Sequence, residues 1–316
     1  MDDVTIHTRL ERRLGAVHAR QRLGIEADHE AQCFGQGLNF FHIENWYSCH
    51  AVIRGALRLC GLYGRGCRNA GQVTVRHNTI RIARLPQQLD GFTLLHLSDL
   101  HADMSAPAMA RVAELVPSLA YDVCVMTGDY RGKTFGPFAA ALAGVATVTA
   151  QVKAPIYGVL GNHDTIQMVP DLEDLGVRML LNEAVTIVRD GARLHLAGID
   201  DAHFFRVDNI EKAAAGIAPG EPAVLLSHTP EVYRQAAHAG FALMLAGHTH
   251  GGQICLPGGV PITLDSNLPR RFGAGAWRYG DMAGYTSVGA GSSVVAVRLN
   301  CPPEITLHRL ERADAQ

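Results

Sequence analysis

Five short apolar, β-prone runs, Phe92 to Leu97, Val123 to Met126, Ile156 to Leu160, Ala223 to Leu226 and Ala242 to Leu245, are each followed at once by a polar cluster. The clusters are Asp99-Leu100-His101, Gly128-Asp129-Tyr130, Gly161-Asn162-His163-Asp164, Ser227-His228 and Gly247-His248-Thr249-His250. A strand that ends in carboxylate, amide and imidazole groups presents them on the loop beyond its last residue. Oxygen and nitrogen donors gathered from five strand ends can hold hard or borderline divalent cations. The pattern points to a two-metal hydrolase.

Each cluster has its own chemistry. Asp99 and His101, two residues apart, are expected on one side of an extended chain and so within reach of one ion. Asp129 follows a glycine that permits a sharp turn, and its two oxygens could bridge two ions. Asn162 offers a neutral amide oxygen, which suits a hard cation and limits the negative charge around an anionic phosphate. His163 is then expected to face the substrate, with Asp164 hydrogen-bonded to its imidazole so that it can donate a proton. His228, His248 and His250 complete the donor set, and two ions about 3.5–4 Å apart could take one histidine each from the last pair. Any one of these histidines alone would be read as a satisfied core residue; it is the ordered set that argues for a site.

The rest of the chain sets bounds. Its 316 residues carry a formal net charge of −2, so no global field points to nucleic acid. Seven cysteines, Cys33, Cys49, Cys60, Cys67, Cys124, Cys255 and Cys301, form no CxxC pair and read as free thiols in a reducing compartment. The start, Met1-Asp2-Asp3, lacks a secretory pattern, and a cytoplasmic location is expected. The uncharged stretch from Thr134 to Val152 is rich in Ala, Gly and Thr and reads as a buried helix rather than a membrane span.

Residues 1–70 are expected to form an N-terminal extension and residues 71–316 the main domain. The first 40 residues are polar and without clean periodicity, the profile of a loose arm. From Asn45 to Tyr63 the pattern is helical and two-faced, with Ile53, Leu57 and Cys60 on one stripe and Arg54, Arg58 and Arg65 on a neighbouring one. Trp46, Tyr47 and Tyr63 lie near its ends. It reads either as a helix packed on the main domain or as an interfacial helix resting on anionic lipid through residues 45–65. Gln72 to Arg84 alternates about His77-Asn78 like a hairpin. Helices are expected over Ala106 to Leu119, Pro137 to Val152, Asn209 to Gly216 and Pro230 to Ala239. Strands are expected over Val177 to Leu181, Ala184 to Val188, Arg193 to Ile199, Val294 to Leu299 and Glu304 to Leu310. The segment Asp200 to Phe205 reads as a capped turn with Phe204 and Phe205 in the core, or as a wall of the substrate site. Gly273 to Gly275 reads as loop, with Trp277 and Tyr279 packed beneath it.

Taken in order, the five clusters resemble the calcineurin-like metallophosphoesterase family over about residues 88 to 310. The resemblance implies a four-layer αββα sandwich with two mixed β-sheets. It implies one metal at Asp99, His101, Asp129 and His250, and a second at Asp129, Asn162, His228 and His248, with a bridging water or hydroxide that attacks phosphorus in line. His163 matches the family's substrate-facing histidine and Asp164 its supporting acid. The family uses two divalent ions, manganese foremost here, with iron, zinc, magnesium or cobalt as alternatives. Gly128-Asp129-Tyr130-Arg131 lacks the further acid that many members carry after this motif.

The segment His248 to Gln253 and the Cys301-Pro302-Pro303-Glu304 tail are similar to the bacterial phosphodiesterase and UDP-2,3-diacylglucosamine hydrolase branch. That likeness implies a phosphodiester or pyrophosphate substrate, lipid-linked as in lipid A biosynthesis, and a peripheral place on the inner membrane. Against it stand a phosphomonoesterase or protein phosphatase, and a non-catalytic scaffold on the same fold.

Overall fold

Alternate residues of the central strands point to opposite sides, and both sides are buried. The structure, a computed structural model, describes residues 3–34 and 47–313. Four helices come first: α1 (Asp3–Leu14), α2 (Ala16–Phe34), α3 (Tyr47–Leu59) and α4 (Tyr63–Ala70). Then β1 (Thr74–Ile82), β2 (Thr93–Leu97), α5 (Ala106–Leu115), β3 (Val123–Met126), α6 (Ala139–Thr149), β4 (Ile156–Gly158), α7 (Val169–Asp174) and β5 (Val177–Met179) make the first half of the main domain. The second half holds β6 (Glu183–Arg189), β7 (Ala192–Gly198), α8 (Ile210–Ala214), β8 (Ala223–Leu226), α9 (Tyr233–His238), β9 (Leu243–Ala246), β10 (Cys255–Leu256) and β11 (Val260–Pro261). It closes with β12 (Gly275–Tyr279), β13 (Met282–Thr286) and β14 (Glu304–Arg312).

Two six-stranded sheets result, ordered β1-β14-β2-β3-β4-β5 and β12-β13-β9-β8-β7-β6. Both are mixed. In the first, β14 runs antiparallel to β2 and parallel to β1; in the second, β6 and β12 are antiparallel edges on a parallel centre. Leu94, Val123 and Val125 face Val224, Leu226, Leu243 and Leu245 across the gap between sheets. On the opposite face of the first sheet, Leu95, Leu97, Cys124 and Met126 meet Met109 and Val112 of α5 and Val145 and Val148 of α6. On the outer face of the second, Leu225, Met244 and Ala246 meet Tyr233 and Ala236 of α9. Helix, sheet, sheet and helix therefore stack as four layers, each strand serving two cores through its period of two.

Three expectations of local structure need correction, in the hairpin, the late strand and the N-terminal arm. Gln72 to Arg84 is not a hairpin: β1 is one nine-residue strand in parallel register with β14, from Thr74 opposite Glu304 to Ile82 opposite Arg312. His77 and Asn78 do not turn because the partner is distant in sequence, and Asn78 Nδ2 lies 3.1 Å from His308 Nδ1. Val294 to Leu299 is not a strand. Its apolar side chains pack with Leu57 of α3, and its backbone bonds are scattered: Arg298 bonds α4, from its N–H to the Gly66 carbonyl and from Asn69 Nδ2 to its carbonyl, while Leu299 N–H donates to the Gln253 carbonyl. The loop read around Gly273 to Gly275 leads into a β12–β13 hairpin that buries Trp277.

The loose arm is, over residues 3–34, a pair of helices seated on the main domain. Leu10, Ala19 and Arg22 have no exposed surface, and Arg13 binds Glu173, Glu183 and the Met179 carbonyl. Residues 35–46, with Trp46, lie outside the described residues. Phe204 and Phe205 are core residues, packed with Ile25 and Phe135. The stretch from Thr134 holds the buried helix α6, and no helix among the described residues is long and apolar enough to cross a membrane.

Candidate metal centre

All five polar clusters leave the C-terminal ends of parallel strands, from β2, β3 and β4 in one sheet and β8 and β9 in the other. Open α/β sheets bind ligands at such ends. Asp99, His101, Asp129, His248 and His250 all have positive φ, from 37° to 74°. Non-glycine residues avoid this region, and a cluster of them marks a site whose surroundings hold the strain. The extended-chain placement expected for Asp99 and His101 is thus corrected: tight left-handed turns, not a pleat, bring them together. Two glycines make room for the turns. A Cβ on Gly161 would overlap Asp129 Oδ1 and its amide nitrogen, and one on Gly247 would overlap Ser98 Oγ and Asp99 Oδ2.

The donors fall into two adjoining groups. His101 Nε2 lies 3.0 Å from His250 Nε2 and 3.6 Å from Asp129 Oδ2, and His250 Nε2 lies 3.4 Å from Asp99 Oδ1. Beside them, Asn162 Oδ1 lies 2.9 Å from both His228 Nε2 and His248 Nδ1, and His228 Nε2 is 3.3 Å from Asp129 Oδ2. Asp129 belongs to both groups. All seven side chains are at least nine-tenths buried.

The tautomers and charges suit cations. The Nδ1–H of His101 donates to the Arg131 carbonyl at 2.8 Å, and that of His228 to the Thr127 carbonyl at 2.7 Å. This turns both Nε2 atoms toward the carboxylates, the orientation a metal-ligating imidazole requires. Burial holds His248 and His250 well below the usual histidine range, with neighbouring His203 and His101 opposing protonation further. Burial pushes Asp129 up, but His228, His163 and His101 outweigh it and hold the carboxyl well below its ordinary value. Burial alone pulls His228 down, yet Asp129 and Asp99 push it up to about 10. A pocket that draws a proton this strongly onto an imidazole is a field that a divalent cation satisfies.

His163 stands beside the donors rather than among them. Its Nε2 is 4.0 Å from Asp129 Oδ2, its ring meets His101 edge-on at 5.2 Å, and its Nδ1 is 3.3 Å from Thr134 Oγ1. The role expected of Asp164 needs correction. Its carboxylate accepts backbone N–H bonds from Asp129, Tyr130 and Gly161 at 2.8–2.9 Å. Asp164 therefore ties the Asp129 loop to the Gly161 turn and is not the hydrogen-bond partner of the His163 imidazole.

Several supporting residues escaped the sequence reading, and one, His203, lies in the segment it read as a capped turn or a wall of the substrate site. A buried chain runs from His308 through His96, Thr127 and Ser98 to Asp99, with links of 3.2, 2.8 and 2.7 Å before the last, short one. Arg298, without exposed surface, donates to the carbonyls of His250, Val288 and Gly291 and so clamps the last ligand loop. His203, from the Asp200 to Phe205 segment, lies with its ring 4.2 Å from that of His248 and its Nδ1 2.9 Å from Glu231 Oε2. Only hydrogen-bonded spacing across strands links these residues, and a linear sequence does not display it.

Comparison with known proteins identifies the family. A family model described as calcineurin-like phosphoesterase matches residues 92–252. The uncharacterized metallophosphoesterase YkoQ of Bacillus subtilis is 30% identical over 259 residues, spanning 77% of this chain and 93% of its own. Phosphodiesterase YaeI of Escherichia coli is 29% identical over 256 residues, spanning 75% of this chain and 87% of its own. Among solved structures, the calcineurin-like phosphoesterase YfkN from Bacillus subtilis aligns with 64% of this chain and 82% of its own, at a TM-score of 0.42 and 14% identity. The chain belongs to the calcineurin-like phosphoesterase family and is a metal-dependent phosphoester hydrolase.

Proposed function

We propose that the protein is a dinuclear phosphodiesterase or pyrophosphatase acting on a nucleotide-linked lipid, with UDP-2,3-diacylglucosamine as the representative substrate. The convergence of seven buried donors on two adjoining points, with Asp129 common to both, carries this reading. Asp99, His101, Asp129 and His250 would hold one divalent ion, and Asp129, Asn162, His228 and His248 the other. Ions held there supply Lewis acidity to a water and charge to offset the phosphate oxygens. The chain itself fixes the donors, keeps Asp129 ionised and excludes bulk water through burial. His163, aimed past the donors, gives its proton to the leaving oxygen, and Thr134 and the Arg131 bond to the His163 carbonyl hold it there.

A diester is favoured over a monoester because YaeI, a relative over most of both chains, is named a phosphodiesterase. The lipid part rests on α3 and its surroundings. Val52 and Leu59 are 69% and 91% exposed, and no acidic residue occurs between positions 47 and 73, where Arg54, Arg58, Arg65 and Arg68 lie. Leu256, Val260 and Ile262 of the β10–β11 region add exposed apolar surface. Such a face suits an anionic bilayer.

The test loads the protein in turn with manganese, iron, zinc, magnesium and cobalt, then counts bound metal and measures turnover. Two ions per chain, faster cleavage of bis(p-nitrophenyl) phosphate than of p-nitrophenyl phosphate, and UMP release from the lipid that His163→Ala abolishes are the expected results. One ion per chain removes the dinuclear reading. Preference for the monoester removes the diesterase, and diester cleavage without UMP release removes the lipid.

A further inference from the structure

His18, Arg22 and Glu26 recur every four residues along α2, and all three are buried, at 8%, 0% and 9% exposure. A helix that packs for stability alone would place apolar side chains on this stripe, since buried ion pairs gain little over a well-packed apolar contact. Arg22 and Glu26 instead reach the loop that leaves the end of β4, and His18 reaches the loop after β7. Glu26 accepts from the Ile166 N–H at 2.8 Å and from the Thr165 hydroxyl, immediately after the Gly161–Asp164 turn. Arg22 donates to the Asp164 carbonyl at 2.9 Å, pairs with Glu26 at 2.9 Å and covers the Phe205 ring at 3.5 Å. His18 Nε2 lies 2.9 Å from Asp200 Oδ2 in the loop after β7.

We infer that Arg22 and Glu26 are positioning residues for His163, so that α2, outside the matched family region of residues 92–252, is part of the catalytic apparatus. The inference rests on the reading of His163 as the proton donor to the leaving group. The turn that carries His163 is held from two sides. Arg131 binds the His163 carbonyl from within, and Arg22 and Glu26 grip the next three residues from α2. Loosening the outer grip lets the imidazole wander while the metal donors, fixed by strand ends and by Asp164, stay in place. Loss should therefore fall on protonation of the leaving oxygen and not on binding.

The experiment compares p-nitrophenyl methyl phosphate, whose leaving group needs little help, with phenyl methyl phosphate, whose leaving group needs a proton. A positioned general acid is worth roughly 10²–10⁴-fold, so a misplaced one should cost about tenfold on the phenyl ester and about twofold on the nitrophenyl ester. Glu26→Gln should show that split, with KM and bound metal unchanged, and Arg22→Lys, which keeps the charge, should lie between it and the parent. In the Glu26→Gln/His163→Ala double variant, the phenyl ester should lose no more than in His163→Ala alone. Equal losses on both esters, or losses that multiply in the double variant, overturn the inference. If His163→Ala itself shows no leaving-group split, the proton-donor reading falls first and the positioning role falls with it.

Discussion

The buried histidine pair between the sheets, His96 and His308, makes the residue scale concrete. Both lack exposed surface, and burial pushes His96 down to about 3 and His308 well below the usual range. The folded protein thus keeps both rings neutral, whereas an unfolded chain protonates them below about pH 6.5. With native values depressed, the unfolded state binds more protons, so stability is full above pH 6.5 and falls as pH drops toward 3. The loss should be on the order of 2 kcal/mol for each ring by pH 5. Urea midpoints of the parent and of His96→Gln, taken at pH 7.5 and pH 5, should converge as the pH falls. Parallel shifts would show that His96 does not titrate on unfolding. At this scale the residues that the fold brings together were legible because each is a rare polar residue at the end of an apolar run. The His96–Asp99 chain was not, because Thr127 and Ser98 carry no signal until β2 and β3 lie side by side.

At the scale of elements, legibility followed the kind of face each one buries. Strands such as β3 and β8 and the helix α6 bury apolar residues and declare themselves by composition. α2 buries charges, and a stripe of His18, Arg22 and Glu26 looks like a solvated surface until its partners in distant loops are known. Parallel pairing hid β1 for a related reason: His77-Asn78 resembles a turn only if a partner is sought nearby. α3 shows the opposite division, with Leu57 buried against Val295, Val297 and Leu299 while Val52 and Leu59 face outward. Replacing both outward residues, Val52→Asp with Leu59→Asp, should leave the unfolding midpoint within about 1 kcal/mol of the parent, as surface changes do. Sedimentation with liposomes rich in anionic lipid should weaken by about tenfold or more, since each change removes an apolar contact and adds a charge that the bilayer repels. Unchanged sedimentation would leave α3 as packing alone.

On the scale of the whole molecule, the candidate site gathers donors from both sheets. Ions bound there would join the two sheets and stabilise only the folded chain. A ligand present at 100 times its Kd adds about 2.7 kcal/mol, which for a chain of this size is a Tm rise of roughly 5 °C. Calorimetry of the manganese-loaded protein with and without chelator should show a fall of that order, and Asp129→Asn should abolish it. A chelator-independent Tm would mean that the donors hold no ion in solution. The four-layer frame was legible because strand and helix signals alternate; the sheet order was not, because nothing local places the last strand between the first two.

That placement sets a schedule for making the protein. β14 lies between β1 and β2, so on the ribosome the first sheet stays divided until residues 304–312 have emerged. Until then β1 has no partner and one edge of β2 stands open to any other strand. The nascent chain must carry that open edge from the emergence of β2 until residues 304–312 follow, an interval of about 200 residues in which pairing between neighbouring chains competes with folding. Yield in the cell should therefore depend on holdase chaperones and on how quickly translation passes from β2 to β14 more than on the stability of the finished sandwich.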